Sequence, residues 1–481
     1  MKKGIGLYLV WVFFVSGTGF AFERPAVERF VLDNGMTFLL LPRPSPSISF
    51  EVRVKAGSVD EPQGKTGLTH MLEHMMFKGT PSIGTTDYAK EQSILDAMDA
   101  VMRALQAAPP EERDKLTSEF KELAQRAAQY QVPGEFDKIY TRAGGIGLNA
   151  STSPDLTSYH ITLPRGRLEF WAVMESLRMK TPVFREFYAE RDVVLKERAE
   201  RVDSSDKGSL YEQFLLHAFA VNPYRTPVIG FQEDVSRLTR ADLMEYYQAH
   251  YRPRNTIIAI VGGFDPLEAQ RVLTQYFGDI PPGAIRENRS LQKNPSRSQV
   301  RISMASKEEP FLLMGFHKPK LPTLDDTCFD VIEDVLTGGN SARLVRALVT
   351  QGIASSVETY NGYPGSRFDN LFVLSAAPLK GHKPKELEDV IWREIDRIKQ
   401  DGMSERELAR AIRSVKKSIL QSLETDAGAA GLLSYYEALA GDYNYIYANL
   451  SAMEKITTAQ VRECARKYLN PENAIIASLG A

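Results

Sequence analysis

The sequence predicts an α+β fold: two tandem, homologous α/β sandwich domains, each a largely antiparallel sheet covered by helices. Three observations lead there. At 481 residues the chain exceeds what one ordinary hydrophobic core holds, so two or three domains are expected. Short β-branched runs alternate with amphipathic helical runs, the pattern of helices laid on a sheet. The ends of the two halves also superpose. Residues 238–262 parallel 456–480 at a constant offset (456 − 238 = 218), with Pro253 matching Pro471 and Asn255 matching Asn473. Each copy reads as a Thr cap, a helix, a Pro-marked turn and a short β-branched strand, so one fold is used twice.

The elements follow in order. Lys2 and Lys3 precede an apolar run from Ile5 to Phe14 and then small, turn-forming residues. Residues 1–21 therefore read as a signal peptide cleaved after Ala21, with a retained membrane anchor as the alternative. Strands are expected at 28–32, 37–42 and 47–56, with Asn34-Gly35 as a hairpin turn between the first two. Residues 88–131 read as helix, a break at Pro109-Pro110, and helix again. Strands at 146–151, 158–163 and 256–261 and helices at 165–178, 185–202, 209–218 and 240–250 complete a first domain, 22–282. Residues 283–298 are polar, basic and proline-bearing and read as a linker. The second domain, 299–481, has strands at 299–303, 311–317 and 370–377. Its start, 330–338, overlays 71–79 at an offset of 259, so the first half carries 259 − 218 = 41 residues that the second lacks. The helical hairpin at 88–131 is taken as that insertion. It reads as a solvated spacer, with partner docking or chamber gating as the alternative.

Composition excludes some functions. A net charge of −2, with 43% hydrophobic and 25% charged residues, fits a soluble globular protein with no nucleic-acid partner. Beyond the first residues, no stretch is long enough to span a membrane, so no stable membrane anchor is expected. Cys328 and Cys464 do not make a disulfide framework. They read as buried free thiols, although an oxidising compartment would permit them to pair.

The chemistry is concentrated at His70, Glu73 and His74. Two histidines four apart on a helix are about 40° apart in rotation, so both imidazoles can reach one metal ion. Glu73 sits on the same side as a general base that is not a ligand. The neighbours Leu68, Leu72, Met75, Met76 and Phe77 place this helix in a core. Zinc suits such a pair, and it needs a third protein ligand and an open position. Glu190 and Glu197 share a helical face two turns apart. That spacing alone equally describes a solvated acidic face.

Several segments then occur in a telling order. They are the H-x-x-E-H helix, Gly-Ile-Gly-Leu-Asn-Ala-Ser-Thr at 145–152 ahead of Tyr159, and Glu-Arg-Asp-Val-Val-Leu-Lys-Glu at 190–197. His217 to Gly230 with its Pro-Tyr, and Asn-Thr-Ile-Ile-Ala-Ile-Val-Gly at 255–262, come after them. Together they resemble the pitrilysin/mitochondrial processing peptidase family of zinc metalloproteases, the inverted zincins, over nearly all of the mature chain. The resemblance implies that Glu197 is the third zinc ligand and that Glu190 joins Glu73 in the catalytic machinery, as a carboxylate behind the ligands. It implies that an edge strand at Asn149 and Ala150, with Phe77 beside it, binds the substrate backbone by β-augmentation. The chain would form half of a clam-shell chamber. The separation of His74 from Glu197 (197 − 74 = 123) is longer than is usual in that family, and the inserted hairpin accounts for the excess.

One departure stands out. Active assemblies in the family take an Arg and a Tyr from a second-domain segment, and this chain has Leu348 and Ser355 there. Its second half also has Phe329, Ile332 and Glu333 where the first has His70, Glu73 and His74. The expectation is a periplasmic or otherwise exported zinc metalloendopeptidase that cuts peptides or unfolded segments. Its partner would be a homologous metal-free subunit in a heterodimer, with a homodimer as the other arrangement. A noncatalytic structural or assembly subunit of the same fold is the alternative function.

Overall fold

The structure, a computed structural model, describes residues 24–283 and 299–480. The signal-peptide reading, and all of the linker reading except Gly283, lie outside the described residues. Eleven strands form two sheets. The first contains β1 (Glu28–Val31), β2 (Thr37–Pro42), β3 (Ser47–Val54), β4 (Ile146–Thr152), β5 (Thr157–Pro164) and β6 (Thr256–Gly262), in the order β1-β2-β6-β3-β5-β4. The second contains β7 (Val300–Met304), β8 (Phe311–Lys318), β9 (Ala354–Tyr363), β10 (Asn370–Pro378) and β11 (Ala474–Leu479), in the order β7-β11-β8-β10-β9. In each sheet one pair is parallel, β2 with β6 and β7 with β11, and the rest are antiparallel. Leaving aside β1, the two sheets have the same strand order and the same relative directions.

The matched ends of the halves have a physical basis. Thr239 and Thr457 each form a capping box, with Asp242 and Gln460. The Asn255 side-chain amide donates to the His250 carbonyl at 2.9 Å and to Lys55 at 3.1 Å, and Asn473 does the same to Tyr468 and His317, both at 2.8 Å. Each asparagine ties the end of its helix to a neighbouring strand, which is why the residue recurs.

Side chains alternate across the sheets as the pleat requires. Phe38, Leu40, Ile258 and Ile260 face the core of the first half, which also holds the helix Leu68–Met75. Leu39, Leu41, Ile257, Ala259 and Val261 face the other way, onto Ala429, Ala430 and Leu433 of a helix from the second half, Asp426–Ala440. The exchange is reciprocal. Leu210, Phe214 and Ala218 of the first-half helix Asp206–Ala218 pack on Leu313, Leu371, Val373 and Ile475 of the second sheet. Covered on both faces, β6 is buried along its whole length, hence its unbroken β-branched apolar sequence.

Other elements differ in detail from the sequence reading. Gly35, at φ +88°, makes the expected turn between β1 and β2. The segment read as one helix at 185–202 begins at Phe187, because Glu186 takes a left-handed φ of 59°. It ends at Arg198 and then widens into a π turn, Ala199–Asp203. Strand β9 was not expected; its polar residues and its edge position hide the signal. Two helices, Tyr88–Ala107 and Pro110–Ala128, occupy the 88–131 region. Cys328 and Cys464 are buried and unbonded. Among the described residues no helix is long and apolar enough to cross a membrane.

The helix exchange makes Phe214 a test of how the halves cohere. It is fully buried, and a Cβ at Gly315 would stand 2.5 Å from its ring. Phe214→Ala should cost about 3–5 kcal/mol in urea unfolding, with probes in both halves shifting together. A loss below about 1 kcal/mol would contradict this packing.

Candidate metal centre

The metal helix, Leu68–Met75, turns its buried residues Leu68, Thr69, Met71, Leu72 and Met75 to the core, which leaves His70, Glu73 and His74 on the side facing the cleft. It starts at Gly67, φ +89°, where a Cβ would lie 2.9 Å from the Ile229 carbonyl, so glycine is required. Glu61 satisfies amides of the first turn that have no partner within the helix. Its carboxylate accepts from Gly67 N–H at 2.8 Å and Thr69 N–H at 2.7 Å.

Glu197 comes from the helix Phe187–Arg198. Its Oε2 lies 3.8 Å from His70 Nε2 and 3.8 Å from His74 Nε2. Donor atoms of the three residues all fall within 4.8 Å of one another, the one group of this kind among the described residues. A separation of 3.8 Å is too long for a hydrogen bond and shorter than two zinc–ligand bonds of about 2.0–2.1 Å laid end to end. Two imidazole nitrogens and a carboxylate are a donor set zinc accepts, so the residues fit the ion.

The two imidazoles are placed in opposite electrostatic settings. Burial, then the charges of His74 and Arg201, pushes the His70 pKa down to about 4, so its imidazole is neutral. Burial opposes charging of His74, but its hydrogen bond to Glu190 and the charges of Glu190, Glu197 and Glu73 outweigh that and raise its pKa. His74 Nδ1–H donates to Glu190 at 3.0 Å, which directs Nε2 toward Glu197. The hydrogen bond from His74, then Lys78, holds the Glu190 carboxyl down at about 2 despite partial burial. Lys78 lies 2.7 Å from Glu190 and 3.0 Å from Glu186. Burial raises the pKa of Glu73, although Thr152 Oγ1 donates to its Oε2 at 2.5 Å.

Two buried guanidinium groups bring the two helices together. Arg185, just before the second helix, binds Glu91 of the hairpin and the carbonyls of Lys78, Thr80 and Ile83, which follow the metal helix. Arg198, at the far end, donates to the Gly230 carbonyl at 2.7 Å. Gly230 packs so closely on Gly67 that a Cβ there would meet its Cα at 2.6 Å.

Asn149 and Ala150 lie on β4, the outer strand of the first sheet, opposite His160 and Tyr159 of β5. A cleft of about 520 Å³ is lined by Glu73, His74, Phe77, Phe136, Asn149, Ala150 and Glu190 among others. Of the first-half residues singled out in the sequence, Glu73, His74, Phe77, Asn149, Ala150 and Glu190 line this cleft, and His70 and Glu197 stand beside His74. In the second half Phe329, Ile332 and Leu348 are buried in the core, and Ser355 donates to the Ala377 carbonyl. Sequence reasoning missed the roles of Thr152, Lys78, Arg185, Arg201 and Glu61. Arg201, 2.6 Å from Glu197 and four residues on, was legible as a helical ion pair. The others depend on tertiary contacts.

Comparison with known proteins follows the same lines. Residues 39–102 match the family model described as Insulinase (Peptidase family M16), and 237–415 match the Peptidase M16 inactive domain. The zinc protease PqqE of Helicobacter pylori is 27% identical over 426 residues, 86% of this chain and 83% of that one. A crystal structure of a protease from Helicobacter pylori superposes with a TM-score of 0.80 at 22% identity, covering 95% of this chain and 100% of that one. The periplasmic protease PqqL from Escherichia coli gives 0.69 at 17% identity, over 94% of this chain and 47% of that one.

The Glu190 contact can be tested directly. Glu190→Ala leaves His74 Nδ1 without its acceptor and should weaken zinc binding roughly 10–100-fold in competition with a chromophoric chelator. Unchanged affinity would mean that Glu190 does not orient His74.

Proposed function

The chain belongs to the peptidase family M16, the pitrilysin family of zinc proteases, and we propose that it is an exported zinc-dependent endopeptidase acting on peptides or unfolded polypeptide segments. The observation that carries this reading is the meeting of His70, His74 and Glu197 beside Glu73, next to an open strand edge.

His70, His74 and Glu197 would hold the ion. When bound, zinc supplies Lewis acidity, polarising a carbonyl and making water acidic enough to ionise near neutral pH. Glu73 takes the proton from the attacking water and passes it to the leaving amine. Its partial burial makes it a better base than a solvated carboxylate, and Thr152 fixes the orientation of the carboxylate. The outer edge of β4 at Asn149 and Ala150 accepts an extended peptide as an added strand. A peptide lying there runs past Glu73, with a side chain in the cleft beside Phe77.

The chain acts as the catalytic subunit of a dimer. The second half has Phe329 and Ile332 where ligand and base would be, both buried, and Leu348 and Ser355 supply no Arg or Tyr to stabilise developing negative charge on the carbonyl oxygen. A homologous metal-free subunit bearing those residues completes the site, and a homodimer is the other arrangement. That the chain matches about half of PqqL, 47% of its length, supports a chamber of two such halves. PqqL is also described as periplasmic, which supports export alongside the reading of residues 1–21.

Two measurements test this. Glu73→Gln should keep zinc bound while turnover of a quenched peptide falls about 10²–10⁴-fold; near-normal turnover would assign the base elsewhere. The zinc-loaded chain alone should cleave poorly, since a missing oxyanion donor costs about 10²–10³ in rate, and a homologous partner bearing Arg and Tyr should restore cleavage. Full activity from the pure chain would contradict the heterodimer, and no activity under either condition would favour the noncatalytic reading.

A further inference from the structure

Among the described residues the second half contributes no side chain to the candidate metal centre, yet one of its loops grips what stands behind it. Residues 364–368 lie in the link between β9 and β10, which ends at Asp369. A Cβ at Gly365 would lie 2.4 Å from Asp155 Oδ2 and 2.8 Å from the Tyr224 hydroxyl, so the loop approaches as only glycine permits. Ser366 N–H donates to Asp155 Oδ2 at 2.6 Å, and Arg367 N–H donates to the same oxygen at 3.1 Å. The Tyr224 hydroxyl donates to Asp155 Oδ1 at 2.7 Å and accepts from the amides of Arg367 at 2.9 Å and Phe368 at 3.1 Å. The Arg367 guanidinium lies 3.2 Å from both Asp60 carboxylate oxygens. Asp60, Asp155 and Tyr224 are 5%, 3% and 0% exposed, so these contacts operate in a low-dielectric setting where a displaced partner is costly.

Both anchor points lead to the centre. Asp155 lies in the turn between β4 and β5, three residues past Thr152, whose hydroxyl donates to Glu73. Asp60 directly precedes Glu61, whose carboxylate holds the Gly67 and Thr69 amides at the start of the metal helix. Val59 N–H donates to the Pro154 carbonyl at 3.1 Å, and a Cβ at Gly57 would stand 2.1 Å from that oxygen, so the two segments are in direct contact.

We propose that the loop 364–368 is a positioning element of the metal centre, acting through Asp155 on Thr152 and Glu73 and through Arg367 and Asp60 on Glu61 and the metal helix. The second half is thereby coupled to a reaction for which it supplies no reacting group. The activity arm of this inference rests on the proposed peptidase function; the metal-affinity arm stands without it.

The rival role is plain adhesion between halves. Arg43 provides the control, because it also joins the halves, donating to the Leu423 carbonyl at 2.8 Å. Asp155→Ala should lower kcat about tenfold with KM and zinc affinity within about twofold of the parent, and Asp155→Asn, whose amide keeps only one of the two acceptor oxygens, should recover only part of kcat. Arg367→Ala should weaken zinc binding about fivefold in chelator competition, and Arg367→Lys should recover part of it. Arg43→Ala should lower only the melting temperature. The proposal is overturned if Asp155→Ala and Arg367→Ala behave like Arg43→Ala, with kcat and zinc affinity unchanged. If Asp155→Ala fails to fold, Arg367→Ala decides. If the zinc-loaded parent cleaves nothing, with or without a partner, the peptidase reading fails, while the zinc affinity of Arg367→Ala still decides this one.

Discussion

Three donor atoms from two helices must stay within 4.8 Å of one another, and the first half is organised around that constraint. The helices run in opposite directions and are fastened at both ends. Arg185 binds the start of the second helix to the carbonyls that follow the first, and Arg198 binds its end to Gly230, which lies on Gly67 where the first begins. A planar guanidinium with several fixed donors holds direction as well as distance, which a lysine at either place would not. Around this frame Glu190 turns His74 and Thr152 holds Glu73. The centre is thus specified by hydrogen bonds whose partners are far apart in sequence.

The duplication shows what the fold needs and what the chemistry adds. Both halves keep the capping box, the Asn that joins a helix end to a strand, and the same strand order. The second half has apolar Phe329 and Ile332 inside its core where the first has His70 and Glu73. Each half lends a helix to the other's sheet, Asp206–Ala218 in one direction and Asp426–Ala440 in the other. The second half is therefore structurally indispensable, since one face of the first sheet has its cover there.

Much of this was legible in the sequence, for identifiable reasons. The strand at 37–42 and the pair His70 and His74 obey local periodicities, and Asn34-Gly35 marks its turn by composition. Glu197 was not legible from spacing, because an acidic helical face looks the same in solvent, and the family resemblance was needed to single it out. The left-handed Glu186 and the π turn after Arg198 were invisible, since no local propensity announces either. Strand β9 was missed because its residues are alternately exposed and mostly polar at a sheet edge. The helix exchange was beyond reach, because an apolar stripe says that a helix is covered and not by which half.

The central claim is that one zinc ion sits between His70, His74 and Glu197. X-ray absorption at the zinc edge on the purified, stoichiometrically loaded chain tests it most directly. The account predicts a first shell of nitrogen and oxygen alone at about 2.0–2.1 Å with imidazole scattering from two histidines, and loss of one low-Z scatterer in Glu197→Ala. A sulfur contribution at about 2.3 Å, which would place the ion at Cys328 and Cys464, or a spectrum unchanged by Glu197→Ala, would contradict it.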